Sequence, residues 1–197
     1  EGRSVRTLSY NELFKSVEKI ASALRKLGVQ KGDRVAGFMP NMPETIIAML
    51  ATTSIGAIWS SSSPDFGIKG ILDRFVQIEP KVLFAADGYF YNGKRFDSVE
   101  KLNSILDQLP SVEQVVITPY TELDPDISSV NNGIWWNDFL YESPITLEFE
   151  QLPFNHPLYI MYSSGTTGLP KSIVHGAGGA LIQHLKELRL HCNIGMD

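Results

Sequence analysis

The chain has 197 residues, 43% of them apolar and 20% charged, which suits one folded domain with a sizeable buried core and excludes a disordered segment of that length. Its formal net charge of −5 supplies no basic field, so neither nucleic acid nor an acidic membrane surface is an expected partner. The longest apolar stretch, residues 46–59, is interrupted by Thr52, Thr53, Ser54 and Gly56 and is too short and too polar to span a bilayer.

Ser9 and Glu12 form a capping box, and Leu13, Val17, Ile20, Leu24 and Leu27 recur at helical spacing until Gly28, which predicts an amphipathic first helix. A short strand is expected over Arg34–Phe38. Pro43-Glu44 then opens a helix at the position where proline is favoured, running to about Ser54. A strand over 56–60, a helix over 68–77, a strand over Val82–Ala86, a helix over 99–109 and a strand over Gln114–Thr118 continue the alternation. Pro125, Asn131-Asn132-Gly133 and two tryptophans break this rhythm over 124–137, which reads as an ordered loop leading into a short helix at 136–141. Pro157-Leu158-Tyr159-Ile160-Met161-Tyr162 reads as a buried strand, Ser172-Ile173-Val174-His175 as a second β-prone run, and glycines then turn the chain into a last helix. Strands separated by helices make βαβ units, so the expected fold class is α/β, with a mainly parallel sheet and helices on both faces. No internal repeat or low-complexity tract interrupts it.

The densest functional signal is Tyr162-Ser163-Ser164-Gly165-Thr166-Thr167-Gly168-Leu169-Pro170-Lys171. A polyphosphate needs closely spaced donors, a backbone free to approach, and positive charge. Ser163, Ser164, Thr166 and Thr167 supply hydroxyls, Gly165 and Gly168 leave no side chain in the way, and Lys171 brings a compact ammonium on a flexible stem. The segment nearly matches G-x-x-x-x-G-K-[ST], but Pro170 stands where that pattern requires glycine. Proline has no N–H and a fixed φ, and the residues after Lys171 are extended rather than helical in character, so this is a different phosphate loop with a similar task. A surface turn that binds nothing is the plain alternative; the preceding strand and the closing Pro-Lys argue against it.

The stretch from Tyr162 to Lys171 resembles the phosphate-binding signature of the acyl-adenylate-forming superfamily, which includes acyl-CoA synthetases, luciferases and peptide-synthetase adenylation domains. Leu8-Ser9-Tyr10-Asn11-Glu12-Leu13, Lys31-Gly32-Asp33-Arg34-Val35-Ala36, and Met39-Pro40-Asn41 with Pro43-Glu44 resemble earlier segments of that superfamily, in its order. Ile58-Trp59-Ser60-Ser61-Ser62-Ser63-Pro64-Asp65-Phe66-Gly67, Asp73-Arg74-Phe75 with Gln77-Ile78-Glu79-Pro80-Lys81-Val82-Leu83-Phe84, and Gly88-Tyr89 with Tyr91-Asn92-Gly93-Lys94 are similar to its acetoacetate-activating branch, a relative of the short-chain acetyl-CoA synthetases. The resemblance covers essentially the whole chain. It implies part of the large N-terminal domain of such an enzyme over residues 1–197, ending just after the phosphate loop.

The same resemblance implies a ligase that joins a small carboxylic acid to CoA at the expense of ATP, with Mg²⁺, through an acyl-adenylate. Ser163, Ser164, Gly165, Thr166, Thr167 and Gly168 would line the ATP phosphates, with Lys171 as the catalytic counter-charge. Lys94 and Arg95, in the basic turn Asn92-Gly93-Lys94-Arg95, fall where relatives contact the CoA nucleotide, although a solvated turn explains them as well. His175 is either a structural histidine or a residue facing the site. Ser60 to Ser63 read equally as a turn after a strand or as ligand-facing hydroxyls. No metal ligand is assigned in this chain, because the resemblance places the Mg²⁺ carboxylate, the adenine and ribose contacts, the hinge to a small C-terminal domain and the adenylation lysine downstream of Asp197. A piece of an enzyme, inactive alone, is therefore expected.

Cys192 is the single cysteine, so no internal disulfide forms, and a reducing, cytoplasmic compartment is expected. Its own role is that of a small apolar residue. Glu1-Gly2-Arg3 begins no charged-then-apolar leader, so no signal peptide is expected in these residues. Readings from other classes are a P-loop phosphotransferase, which Pro170 disfavours, a Ser-Ser-Lys amidase, for which no upstream lysine motif is evident, and a non-catalytic nucleotide-binding module. An acetyl- or propionyl-CoA synthetase is the alternative within the resemblance.

Overall fold

Ser9 starts the first helix, α1 (Tyr10–Lys26), through the reciprocal bonds of a capping box: its Oγ accepts from the Glu12 N–H at 3.3 Å, and its own N–H donates to Glu12 Oε2 at 2.8 Å. The Ser9 hydroxyl, which donates to Glu12 Oε2 at 2.6 Å, and after it the Ser9 N–H hold the Glu12 carboxyl below its ordinary range. Gly28, at φ +86°, turns the chain out of the helix. In this computed structural model, residues 6–121, 126–141, 146–163 and 168–195 are described.

The alternation predicted from the sequence then continues along the chain. β1 (Arg34–Phe38) leads through α2 (Pro43–Ser54) to β2 (Ile58–Ser62), and α3 (Ile68–Phe75) leads to β3 (Val82–Ala86). After a small antiparallel ribbon, β4 (Gly88–Tyr91) and β5 (Lys94–Asp97), come α4 (Val99–Leu106), β6 (Gln114–Thr118), β7 (Gly133–Trp135) and α5 (Trp136–Phe139). β8 (Pro157–Ser163), β9 (Lys171–Gly176) and α6 (Ala177–Lys186), which runs into a π-type turn at Glu187–His191, complete the order. The main sheet has the strand order β7-β6-β3-β1-β2-β8-β9, and every neighbouring pair is parallel except β8 with β9.

Because side chains alternate across a strand, the sheet has two buried faces. Val35, Trp59, Phe84 and Val116 pack on one side with Ile20 and Leu24 of α1 and Ala48 and Ala51 of α2. Ala36, Phe38, Leu83, Val115 and Ile117 pack on the other with Ile71 and Phe75 of α3 and Leu102 and Ile105 of α4. Helices cover both faces, as the α/β reading requires.

Several local readings differ: α5 ends at Phe139 rather than 141, and β8, expected as a buried strand, buries only Ile160 and exposes Met161. β2 begins at Ile58 because Gly56, at φ +77°, is used in the turn that ends α2, with its N–H bonded to the Thr53 carbonyl. α3 and α4 stop at Phe75 and Leu106, short of 77 and 109, since the next residues form hydrogen-bonded turns. Residues 133–135, expected as loop, form a three-residue strand on β6. The expected basic turn at Asn92-Gly93 is the tip of the β4–β5 ribbon, with both residues at positive φ, 49° and 72°.

Gly37 sits where β1 passes beneath the indole of Trp59: a Cβ built there would lie 2.7 Å from ring atoms of Trp59, which is buried. Gly37→Ala is therefore expected to destabilise the fold by about 1–3 kcal/mol in urea denaturation. Gly179→Ala, inside α6 with open space around the added carbon, is expected to stabilise it by about 0.5–1 kcal/mol. Equal stabilities for Gly37→Ala and the unsubstituted chain would contradict this packing.

Candidate phosphate-binding site

Parallel strands place their carboxyl ends along one edge, the edge where α/β sheets bind ligands. β1 lies between β2 and β3, with the connection through α2 on one face and α4 on the other, so the strand order reverses direction there. β8 joins this arrangement through two residue pairs only, Trp59 with Tyr159 and Ser60 with Ile160. Ser60 Oγ donates to the Ile160 carbonyl across the seam at 2.9 Å, a buried bond.

Beyond that seam β2 and β8 part. β8 continues alone as the first arm of a hairpin with β9, in a register that sets Tyr162 opposite Ser172 and Ser163 opposite Lys171. The hydroxyl-rich segment is thus the hairpin's connection, at the carboxyl edge of the sheet. Ser163, Gly168 and Lys171 are described; Ser164, Gly165, Thr166 and Thr167 lie outside the described residues. An added Cβ at Gly168 would meet nothing within 4 Å among the described residues. Lys171 is exposed and makes no ion pair among the described residues.

Where the strands separate they leave a cleft of about 550 Å³. Trp59, Ser61, Ser62 and Ser63 line it from β2, Tyr159 and Tyr162 from β8, and Phe66, Arg74 and His184 close it. The serine run therefore divides: Ser60 works inside the seam, whereas the next three face the cleft. Ser62 Oγ is buried and makes no hydrogen bond among the described residues. Arg74 places its guanidinium 4.2 Å from the centre of the Phe66 ring and 5.7 Å from that of Tyr162. Arg74 lies in a segment that carries the resemblance but has no role read from it, and His184 does not stand out in the sequence. Arg74 meets Tyr162, 88 residues further along the chain, and His184 shares the cleft with the serines of β2, so only folding brings them to this edge.

Other candidates fall elsewhere. Lys94 and Arg95 are exposed on β5, paired with Tyr91 and Phe90, on a ribbon that leaves the carboxyl end of β3. Asp87 anchors that ribbon by accepting from the Tyr120 N–H at 2.5 Å and from the Thr121 N–H and hydroxyl at 2.9 and 2.7 Å, while its carbonyl accepts from the Ser98 N–H. His175 is half-buried opposite Tyr159, with ring centroids 5.0 Å apart, and is not among the residues lining the cleft. Among the described residues no group of three or more His, Cys, Asp or Glu side chains could hold a metal ion. No helix among them is long and apolar enough to cross a membrane. Cys192 is exposed rather than packed.

Burial pushes the Tyr162 phenol above its ordinary 10.0, against smaller opposing effects of the Ser60 hydroxyl and the Arg74 charge. A folded value above the unfolded one means that the stability this group contributes is complete below pH 10 and is lost as the pH rises through the folded value. Absorbance titration is expected to show a last-ionising tyrosine that disappears in Tyr162→Phe. Superimposable titrations of the two proteins would contradict it.

Comparison with known proteins gives one consistent picture. A family model described as AMP-binding enzyme matches residues 3–194. An acetoacetyl-CoA synthetase of Macaca fascicularis is 52% identical over 95% of this chain and 29% of its own length. The acetoacetyl-coenzyme A synthetase of Rhizobium meliloti is also 52% identical over 95% of this chain and 29% of its own. Among solved structures, an acetoacetyl-CoA synthetase from Streptomyces lividans superposes with a TM-score of 0.88 at 43% identity, covering 96% of this chain and 29% of that one. The chain thus spans about three-tenths of the length of the curated relatives it matches.

Proposed function

The chain belongs to the AMP-binding enzyme family, and we propose that it is the early part of the large domain of an acid–thiol ligase that makes acetoacetyl-CoA from acetoacetate, ATP and CoA. The observation that carries this reading is the hairpin: a hydroxyl- and glycine-rich connection between Ser163 and Lys171, placed at the carboxyl edge of a parallel sheet. The choice of acetoacetate over acetate or propionate rests on the similarity to acetoacetyl-CoA synthetases.

In this reaction the acid's carboxylate oxygen attacks the α-phosphorus of ATP, and the bond to the bridging oxygen breaks to release pyrophosphate. The CoA thiol then attacks the acyl carbon, loses its proton and displaces AMP. The first step gathers negative charge on the leaving pyrophosphate. Donors already fixed around the β- and γ-phosphates stabilise that charge without reorganising. Ser163, Ser164, Gly165, Thr166, Thr167 and Gly168 take that place, and Lys171, directly across from Ser163, supplies the mobile positive charge. Mg²⁺ arrives with ATP as part of the substrate, and its protein ligand belongs to a part of the ligase outside these residues. Lys94 and Arg95 offer two exposed positive charges for the CoA nucleotide, and His175 supports β8 by packing on Tyr159. The 197 residues alone are expected to be inactive, and the single cysteine agrees with a reducing compartment such as the cytosol.

Acid-dependent exchange of pyrophosphate into ATP by the full-length ligase tests the reading. Exchange with acetoacetate above that with acetate or propionate is expected. Lys171→Ala is expected to slow exchange by about 10²-fold or more, the size of losing one stabilising group at a developing charge, and to slow thioester formation from supplied acetoacetyl-adenylate far less. ATP hydrolysis without acid, or equal losses in both half-reactions, would overturn the assignment.

A further inference from the structure

The hairpin is held from outside the sheet by a neighbour in space that is far away in sequence. The side chain of Gln77, just past the end of α3, reaches the second arm on both sides of Lys171: its Nε2 donates to the Pro170 carbonyl at 2.9 Å, and its Oε1 accepts from Ser172 Oγ at 2.9 Å. The same amide donates to the Asp73 carbonyl at 2.6 Å, which ties it to the helix. The first arm is tied to the same helix, since Tyr162 Oη donates to the Arg74 carbonyl at 3.1 Å. One helix end therefore grips Tyr162 in one arm and Pro170 and Ser172 in the other.

We propose that Gln77 is a positioning residue that fixes the backbone on either side of Lys171 and thereby aims its ammonium at the nucleotide phosphates; the second half of this statement rests on the ligase reading above. Lys171 is exposed on an edge strand, where no ion pair among the described residues fixes the direction of its stem. Pro170 offers no N–H, so its carbonyl is the one backbone group that can tie it, and Gln77 takes it. An amide both donates to Pro170 and accepts from Ser172 through one rigid group. Gln77→Glu keeps the acceptor and loses the donor, and Gln77→Ala loses both.

Hydrogen exchange on the full-length ligase reads the grip directly. Amides of residues 171–174 are expected to exchange about three- to tenfold faster in Gln77→Ala, the size of one or two exposed hydrogen bonds, with α1 and β3 unchanged. Gln77→Glu is expected to fall between, and Ser172→Ala to add little once Gln77 is gone. In the full-length ligase the same Gln77→Ala variant is expected to raise the KM for ATP in pyrophosphate exchange by about the same factor, with thioester formation from supplied adenylate unchanged. Unchanged exchange at 171–174 would overturn the grip. Faster exchange at 171–174 with an unchanged KM would overturn its role in aiming Lys171. A wild-type ligase without acid-dependent activity would overturn the phosphate reading and leave the grip to be decided by hydrogen exchange alone.

Discussion

Two residue pairs join the strand that carries the candidate site to the rest of the sheet. Trp59 beside Tyr159 and Ser60 beside Ile160 are the whole of the β2–β8 pairing, and nearly everything at this edge stems from how short it is. Had the two strands stayed paired to their ends, Ser61 to Ser63 would face Met161 to Ser163 across a closed ladder, and no cleft would exist. On its other edge β8 pairs with β9 from Pro157 to Ser163, the seam residues Tyr159 and Ile160 included, and β9 closes the sheet edge. The seam itself is reinforced by the buried Ser60 hydroxyl and by Trp59, whose ring lies over Gly37 and 6.4 Å from that of Phe84.

A strand so lightly paired needs other supports. The segment before β8 runs back along α1 and α2: the Leu147 N–H donates to Glu18 Oε1, the Glu150 N–H to the Ser54 carbonyl, and His156 Nε2 lies 2.9 Å from the Gly56 carbonyl. Gly56 admits this approach, since a carbon added to it would press on Glu150 and Leu152. At the far end the tip of α3 holds both hairpin arms. The proposed phosphate grip therefore has a fixed entry and a fixed exit. Fixed flanking backbone is what an electrostatic site for a leaving pyrophosphate needs.

Much of this is legible in the chain. The capping box at Ser9, the proline at the start of α2 and the apolar runs of β1, β3 and β6 each combine a local signal with burial, and local and tertiary preferences agree there. The hydroxyl-rich segment is legible for a different reason: its hydroxyls, glycines and lysine suit a polyphosphate ligand. The β4–β5 ribbon escapes the sequence reading although Asn92-Gly93 between Tyr91 and Lys94 is a strong two-residue hairpin signal, because β5 is exposed throughout and shows no alternation of burial. β7 is three residues on an edge, made a strand by β6 rather than by its own sequence. Arg74 and Gln77 lie in segments that carry the resemblance, but their contacts and the place of His184 are not legible, because each meets a partner on another element far along the chain, as Gln77 meets Ser172.

The central claim is that the hairpin between Ser163 and Lys171 holds the tail of a nucleotide. A crystal structure of the full-length protein with a non-hydrolysable ATP analogue tests it most directly. The account places the β- and γ-phosphates within hydrogen-bond distance of the backbone and hydroxyls of residues 163–168, with the Lys171 ammonium turned toward them. Phosphates bound at another edge of the sheet, with the hairpin unoccupied and Lys171 facing solvent, would contradict it.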